Sequence, residues 1–219
     1  MKILVFSDTH LSKFDDKKYQ FLKKIILDSD RVIINGDFID DWLISGDEFL
    51  KSKWKFLFPL LLTKKTIYIR GNHESTITHE VASHFSIKFC NYHEEYIKGQ
   101  KFLFEHGDSI TKKNQHLLLK VANNRILNIR FLLKSFNFLR SSLNTMMPKL
   151  SKKFSKEEKR NNILRNCYTN REIFLITGDT HNPELDLETK FANTGKIMDG
   201  YASYILIMDN EIKLFYEKY

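Results

Sequence analysis

Five short polar motifs, each following an apolar run, contain the residue types that bind metal ions and transfer protons. Carboxylate, imidazole and amide groups are ligands for divalent cations, and a histidine beside them can pass a proton to a departing group. Each motif alone is common in proteins, so the specific feature is that all of them end predicted strands. They lie at residues 8–10, 36–40, 71–74, 106–108 and 178–181.

Asp37 is the residue around which these motifs are organised. It follows the β-branched run at residues 31–35, which predicts a buried strand. Gly36 allows the backbone to turn sharply and to approach a ligand. A carboxylate just past a strand end lies where open α/β sheets bind ligands, and its two oxygens can bind two cations. The alternative is an ordinary turn rich in Asp and Gly.

The elements that would position these residues alternate between strands and helices. Residues 2–6, 31–35 and 66–70 are apolar runs typical of strands, and residues 15–29 have the apolar spacing of an amphipathic helix. This βαβ order favours a mainly parallel sheet. Further predictions are a continuous helix at 47–62, a short helix at 80–85, a buried strand at 172–176, and hairpins at 96–104 and 201–216.

The composition is typical of a globular protein with one domain or one domain and an insertion. The chain has 219 residues, of which 42% are apolar and 28% charged. The two cysteines are far apart and lack CxxC spacing, so they imply no disulfide framework. The N-terminal apolar run is too short for a signal peptide. We therefore expect a cytoplasmic protein, unless a membrane surface attracts it.

The net charge of +8 is concentrated in one segment. Residues 112–165 contain fourteen Lys and Arg against two acidic residues, so this insert carries +12 and the remaining chain −4. It has no strand pattern and predicts two or three helices, with dense apolar residues between the basic ones. A solvated face or a buried cap helix would explain this pattern. A helix at an anionic membrane surface, or the lid of an acyl-chain pocket, would explain it too.

In order and spacing, the five motifs resemble those of the calcineurin-like metallophosphoesterase superfamily: D-x-H, G-D-x-x-D, G-N-H-D/E, a further H-G-D, and G-H-x-H. The resemblance covers the chain outside the insert. It implies an α/β fold, an αββα sandwich forming a single domain over 1–219, with residues 112–165 as a helical lid. It also implies two divalent cations, about 3.5–4 Å apart, that clamp the oxygens of an in-line displacement and acidify a water.

Carried over residue by residue, the resemblance implies two overlapping sets of metal ligands. One cation would be bound by Asp8, His10, Asp37 and His181. The other would be bound by Asp37, Asn72, His106 and the residue at position 179. Mixed nitrogen and oxygen ligands of this kind favour manganese first, with iron, zinc or magnesium as alternatives.

Two positions in the motifs need separate interpretation. His73 is not expected to bind metal; its implied role is to hydrogen-bond a phosphoryl oxygen or to donate a proton to the leaving group. Position 179 departs from the family because Asp179 replaces histidine. Asp179 can still bind a divalent cation, or it faces away and the second cation binds weakly. Asp40, Asp41 and Asp108 are interpreted as groups that orient ligands.

The position of the insert resembles the lid of the UDP-2,3-diacylglucosamine hydrolases, which cleave a pyrophosphate bond in lipid A synthesis at the inner membrane surface. This resemblance implies a lipid-linked phosphoester substrate and an anionic membrane surface as partners. Against it, those enzymes usually have arginine where this chain has His73, and they keep G-H-T-H. The alternatives are a nucleotide phosphodiesterase or nuclease, and a non-catalytic scaffold. The residues expected to contact substrate are Arg125, Arg130, Phe131, Lys134 and Phe136.

Overall fold

The computed structural model describes residues 1–111, 152–167, 172–209 and 211–219, and in them two β-sheets lie face to face. The strands are β1 (Ile3–Phe6), β2 (Arg31–Asn35), β3 (Ile67–Ile69), β4 (Lys88–Cys90), β5 (Tyr92–Ile97), β6 (Gln100–Glu105), β7 (Ile173–Thr177), β8 (Glu184–Asp186), β9 (Phe191–Asn193), β10 (Ile197–Met198), β11 (Tyr201–Met208) and β12 (Glu211–Lys218). The helices are α1 (Asp16–Leu27), α2 (Gly46–Lys51), α3 (Phe58–Thr63), α4 (His79–Ser83), α5 (Asp108–Thr111) and α6 (Lys152–Cys167).

The first sheet has the order β10-β11-β1-β2-β3-β4, and β12 pairs with β11 outside this path. Strands β1 to β4 are parallel, as the βαβ order predicted. The C-terminal hairpin of β11 and β12 joins antiparallel to β1. The sheet is therefore mixed rather than mainly parallel, because the last strands return along the edge of the first one.

The second sheet has the order β5-β6-β7-β9-β8, with β6, β7 and β9 parallel. Its inner face packs on the first sheet through apolar side chains of both, including Val5, Ile33, Phe104 and Ile176. Helices α1 to α3 cover the outer face of the first sheet. Leu164 of α6 packs on the outer face of the second. These four layers confirm the predicted α/β sandwich.

The predicted continuous helix at 47–62 is wrong, because this segment forms α2, a 3₁₀ turn at Lys53–Leu57 and α3. Ser52 ends α2 in an extended conformation, and its side chain accepts a hydrogen bond from the amide of Trp54. Pro59 stands in the first turn of α3, where its missing amide proton costs nothing. Serine and proline thus divide the segment, although its apolar residues still pack on the first sheet as expected.

Most of the insert predicted at residues 112–165 lies outside the part of the chain that the structure describes. Residues 112–151 lie outside the described part of the chain, and residues 152–165 belong to α6. Within the described ranges, no helix is long and apolar enough to cross a membrane.

Candidate metal centre

The candidate ligands stand in loops that follow five strands at one edge of the sandwich. Strands β1, β2 and β3 are parallel neighbours in the first sheet, and β6 and β7 are parallel neighbours in the second. Their carboxyl ends therefore meet. The loops after β1 and β2 run side by side, since the amide of Asp8 donates to the Gly36 carbonyl (3.1 Å) and that of Leu11 to the Phe38 carbonyl (2.8 Å).

These loops bring six of the predicted residues into overlapping clusters. In each cluster the potential ligand atoms lie within 4.8 Å of one another. The three clusters are Asp8 with His10 and His181, His10 with Asp37 and His73, and Asp8 with Asp37 and His106.

Asp37 lies between histidines from two different loops. Its Oδ2 is 3.4 Å from Nε2 of His106 and 3.7 Å from Nε2 of His10. On the far side of His10, Nε2 of His181 lies 3.0 Å from Oδ1 of Asp8. Asp37 therefore lies within 4 Å of two nitrogens that can bind metal.

The backbone at the centre is held in a conformation that L-residues adopt rarely. Five of the seven candidate ligands have positive φ: Asp8 (52°), His10 (46°), Asp37 (52°), Asp179 (62°) and His181 (60°). Left-handed residues other than glycine cost of order 1–3 kcal/mol and concentrate at functional sites, where surrounding structure imposes them. The loops are therefore built to aim these side chains, at a cost in stability.

Four buried polar atoms at the centre have no hydrogen-bond partner among the described residues. They are Oδ1 of Asp8, Nε2 of His10, Nε2 of His106 and Oδ1 of Asn72. An unpaired buried polar atom costs about 1–3 kcal/mol, and such atoms are rare without a functional reason. All four are atoms of types that bind metals, and a divalent cation would supply the partner that each lacks. The residues present therefore fit the metal that the motifs imply.

The ring of His106 is oriented by a backbone carbonyl. Its Nδ1 donates a hydrogen bond to the carbonyl of Asn35 (2.9 Å), so Nε2 is the nitrogen directed at Asp37. The side chain of Asn35 in turn donates to the carbonyls of Glu105 and Ile176 in the second sheet (3.0 and 3.1 Å). The sequence interpretation named Asp108 for the orienting role and gave no indication of Asn35.

Glu74 holds the Asp37 loop from within the core. This fully buried carboxylate accepts hydrogen bonds from the amides of Asp37 (3.1 Å), Phe38, Ile39 (3.0 Å) and Gly71 (2.6 Å). Burial, together with the nearby charge of Asp37, raises the pKa of Glu74 to about 7. The sequence interpretation recognised Glu74 as part of a motif but not as the residue that fixes two ligand loops.

His73 is constrained on three sides. Its Nδ1 lies 3.2 Å from Oδ1 of Asp40, whereas the sequence interpretation expected Asp40 to orient a metal ligand. Trp42 stacks on the ring with centroids 4.0 Å apart, and the ring of His10 meets it edge-on at 4.5 Å. Asp41, by contrast, accepts hydrogen bonds from the amide and hydroxyl of Thr76 (2.7 and 3.0 Å), which fixes the loop after Glu74.

The protonation states of the central residues differ according to their surroundings. Burial lowers the pKa of His10 to about 4, so its ring is neutral near pH 7 and can bind a cation. Burial alone would lower the pKa of His106 as well, but the nearby charge of Asp37 raises it well above its usual value. Conversely, burial would raise the pKa of Asp37, yet the ring of His106 lowers it. A cation bound here would therefore compete with a proton on His106.

Asp179 is contacted from both the centre and α6. One carboxylate oxygen lies 3.9 Å from Nε2 of His106, and the other forms an ion pair with Arg160. The Asp179 amide also donates to Oδ2 of Asp8 (3.2 Å). The carboxylate therefore stands at the edge of the centre, and its role as a metal ligand stays a prediction.

Helix α6 supplies residues that sequence reasoning did not find. Arg160 reaches Asp179, and the adjacent, fully buried Asn161 bonds to the loop that holds Asp179 and His181. The predicted substrate-contacting residues lie outside the described part of the chain: Arg125, Arg130, Phe131, Lys134 and Phe136.

The model of the calcineurin-like phosphoesterase family matches residues 1–183, and the chain belongs to this family. It is therefore a metal-dependent phosphoesterase. No curated protein matches the chain in sequence.

Solved structures with a similar fold have low sequence identity. Yfce, a phosphoesterase from E. coli, is 17% identical with a TM-score of 0.51 over 97% of this chain and 91% of its own. A mutant of Vps29 from Entamoeba histolytica is 13% identical with a TM-score of 0.48, over 100% and 99%. An archaeal phosphodiesterase is 14% identical with a TM-score of 0.46, over 99% and 100%. At such identities the likeness concerns the fold.

Proposed function

We propose that the chain is a binuclear-metal hydrolase of phosphodiester or pyrophosphate bonds. The observation that supports this most is the position of Asp37, whose carboxylate lies between unpaired nitrogens of His10 and His106. For one cation we propose Asp8, His10, Asp37 and His181 as ligands. For the other we propose Asp37, Asn72, His106 and Asp179. Manganese is the first candidate, with iron, zinc or magnesium as alternatives.

The chain's own residues would prepare the site for in-line displacement. Two bound cations would neutralise charge on the phosphoryl group and activate a water near neutral pH. Glu74 keeps the loops of Asp37 and Gly71 in register. Asn35 fixes the tautomer of His106, so that its Nε2 presents a lone pair once its proton has left.

We assign the transfer of a proton to the leaving group to His73. Its Nδ1 contacts Asp40 and its ring stacks on Trp42, so the imidazole is held in one orientation beside the centre. A positioned general acid contributes about 10²–10⁴-fold to the rate. The contribution is largest for a leaving group that needs a proton.

Kinetics on paired substrates test this assignment. We expect His73→Ala, loaded with Mn²⁺, to lose on the order of 10²-fold in kcat for an alkyl phosphodiester. The loss should be much smaller when p-nitrophenolate leaves, because this anion needs no proton. The exposed His84, changed to alanine, is the matched control and should alter neither rate. An equal loss with both leaving groups would assign His73 to phosphate binding instead.

For the substrate, we propose a lipid-linked UDP-diacylglucosamine-like compound at the inner face of a membrane. The support is the sequence of residues 112–165, with a charge of +12 and interleaved apolar residues. If residues 112–165 form a lid, the protein should bind anionic vesicles in moderate salt, and this binding should depend on Phe131 and Phe136. The test is hydrolysis of a UDP-diacyl sugar against a short oligonucleotide, in wild type and in Phe131→Ser/Phe136→Ser. Cleavage of the oligonucleotide with no effect of the double substitution would reject the lid.

A further inference from the structure

A groove with a volume of about 300 Å³ opens beside the candidate metal centre. One of its walls is His181, which is also a member of the cluster with Asp8 and His10. The groove continues over the C-terminal hairpin. The residues that matter for its chemistry are Pro183, Lys196, Tyr201, Tyr216 and Lys218.

The groove exists because strand β11 is longer than its neighbour β1. Only the later part of β11 pairs with β1, where Ile205 lies opposite Val5. Its first residues extend past the carboxyl end of β1, paired with β12 as Tyr201 with Lys218 and Ser203 with Tyr216. Alternate residues of a strand share a face, and Ile205 lies between the sheets. Tyr201 and Tyr216 therefore stand on that same face, beyond the point where the second sheet covers it.

The chemistry of the groove is that of an aromatic platform with a cationic rim. Tyr201 and Tyr216 are 54% and 65% exposed. Nζ of Lys218 lies 5.5 Å from the ring centroid of Tyr201, and Lys196 lines the same groove. Exposed tyrosine rings stack with nucleobases at about 1–3 kcal/mol per base, and lysines attract phosphate oxygens.

The volume of the groove limits which ligand it can hold. About 300 Å³ is the lower end of the range for small-molecule sites, which runs from roughly 300 to 1,000 Å³. This volume suits one ring system with its sugar rather than a pair of acyl chains. Since His181 lines both sites, a group bound here can be joined directly to a phosphoryl group at the metal centre.

We propose that this groove binds the nucleoside part of the substrate, whose phosphoryl group lies at the metal centre. The inference rests on the proposed phosphoester hydrolysis and names its substrate class, a phosphoester that carries a nucleoside. Two sources share this chemistry: a nucleotide diester, and a nucleoside diphosphate joined to another group.

The decisive experiment compares two substrates with the same leaving group, thymidine 5′-(p-nitrophenyl phosphate) and methyl p-nitrophenyl phosphate. We expect Mn²⁺-loaded wild type to prefer the thymidine compound. Tyr216→Ala and Tyr201→Ala should each reduce that preference in kcat/KM by about 5- to 100-fold, mainly through KM. Tyr96→Ala is the matched control, because Tyr96 is 73% exposed on β5 and outside the groove; it should leave the preference unchanged.

A binding measurement separates failure of this inference from failure of the proposed function. Thymidine monophosphate should bind the Mn²⁺-loaded protein more tightly than methyl phosphate, and Tyr216→Ala should remove the difference. Hydrolysis of both esters without any nucleoside preference would overturn the inference and leave the proposed function standing. No hydrolysis at full metal occupancy would overturn the proposed function. In that case the comparison of thymidine monophosphate with methyl phosphate would still show whether the groove binds a nucleoside. Comparing kcat/KM for a dinucleotide and a UDP-sugar then shows whether the substrate is a nucleotide diester or a nucleoside diphosphate joined to another group.

Discussion

Asn161 joins α6 to the loop that holds Asp179 and His181, and its replacement should damage both stability and metal binding. Its side-chain amide donates to the Asn182 carbonyl (3.0 Å) and to Glu184 (2.8 Å), and its oxygen accepts from Thr180 (2.6 Å) and Asn193 (3.3 Å). Each bond contributes about 0.5–1.5 kcal/mol, and the buried partners left behind add to the loss. We expect Asn161→Ala to lower the free energy of unfolding by about 3 kcal/mol.

The adjacent residue of the same helix provides the control. Asn162 is exposed, and its side chain accepts one hydrogen bond from Arg165 (3.2 Å), so Asn162→Ala should change stability by less than about 0.5 kcal/mol. Urea unfolding of the metal-free proteins measures this difference. A Mn²⁺ titration should show about 10-fold weaker binding at one site in Asn161→Ala alone. Equal stability and equal Mn²⁺ affinity of the two variants would refute the role of α6 in positioning the loop.

Three further predictions concern the centre itself. Burial lowers the pKa of His10 from 6.5 to about 4. Between pH 6.5 and pH 4, His10 is therefore protonated in the unfolded chain but neutral in the folded protein. The metal-free protein should therefore lose about 2–3 kcal/mol as the pH falls from 7 to 4.5, a component that His10→Asn should lack in urea unfolding at both pH values. In Gly71→Ala the new Cβ would overlap the amide nitrogen and Oδ1 of Asp37. A metal titration should therefore show at least about 10-fold weaker binding. Unchanged metal affinity would show that the close contact between Gly71 and Asp37 does not position this carboxylate. Asp40→Asn should lower kcat by about 10-fold with metal content unchanged, and an unaltered kcat for poor leaving groups would reject Asp40 as the group that positions His73.

The apolar runs predicted the parallel strands of the first sheet because buried strands leave a clear signal, whereas the sandwich was implied by the resemblance to the metallophosphoesterases. The β-branched run before Asp37 and the apolar runs before Asp8 and Asn72 each form a parallel strand of the first sheet. Chain connectivity alone then brings their ends to one edge. The break of the helix at Ser52 was missed because apolar periodicity continues through it, whereas the capping serine and the later proline marked it.

The groups that orient the centre could not be predicted, because they depend on contacts between distant segments. The Asn35 carbonyl reaches His106 across 71 residues, and a backbone carbonyl has no sequence signature. Asn161 is one asparagine among several in a basic segment until the fold places it against Thr180. The left-handed backbone of Asp8 and His181 has no clear sequence signal either: aspartate and histidine adopt it more often than most residues do, but only a small fraction of them do so.

We propose that two cations share Asp37, so the number of cations bound per chain is the decisive measurement. Equilibrium dialysis against Mn²⁺ or Zn²⁺, with metal analysis at saturation, should give two per chain for wild type and for the exposed control Asp47→Ala. Asp37→Ala should lose both, because its carboxylate lies between His10 and His106. One cation or none bound to the wild-type protein at saturation, or an Asp37→Ala variant that keeps both, would show that Asp37 does not bridge two cations.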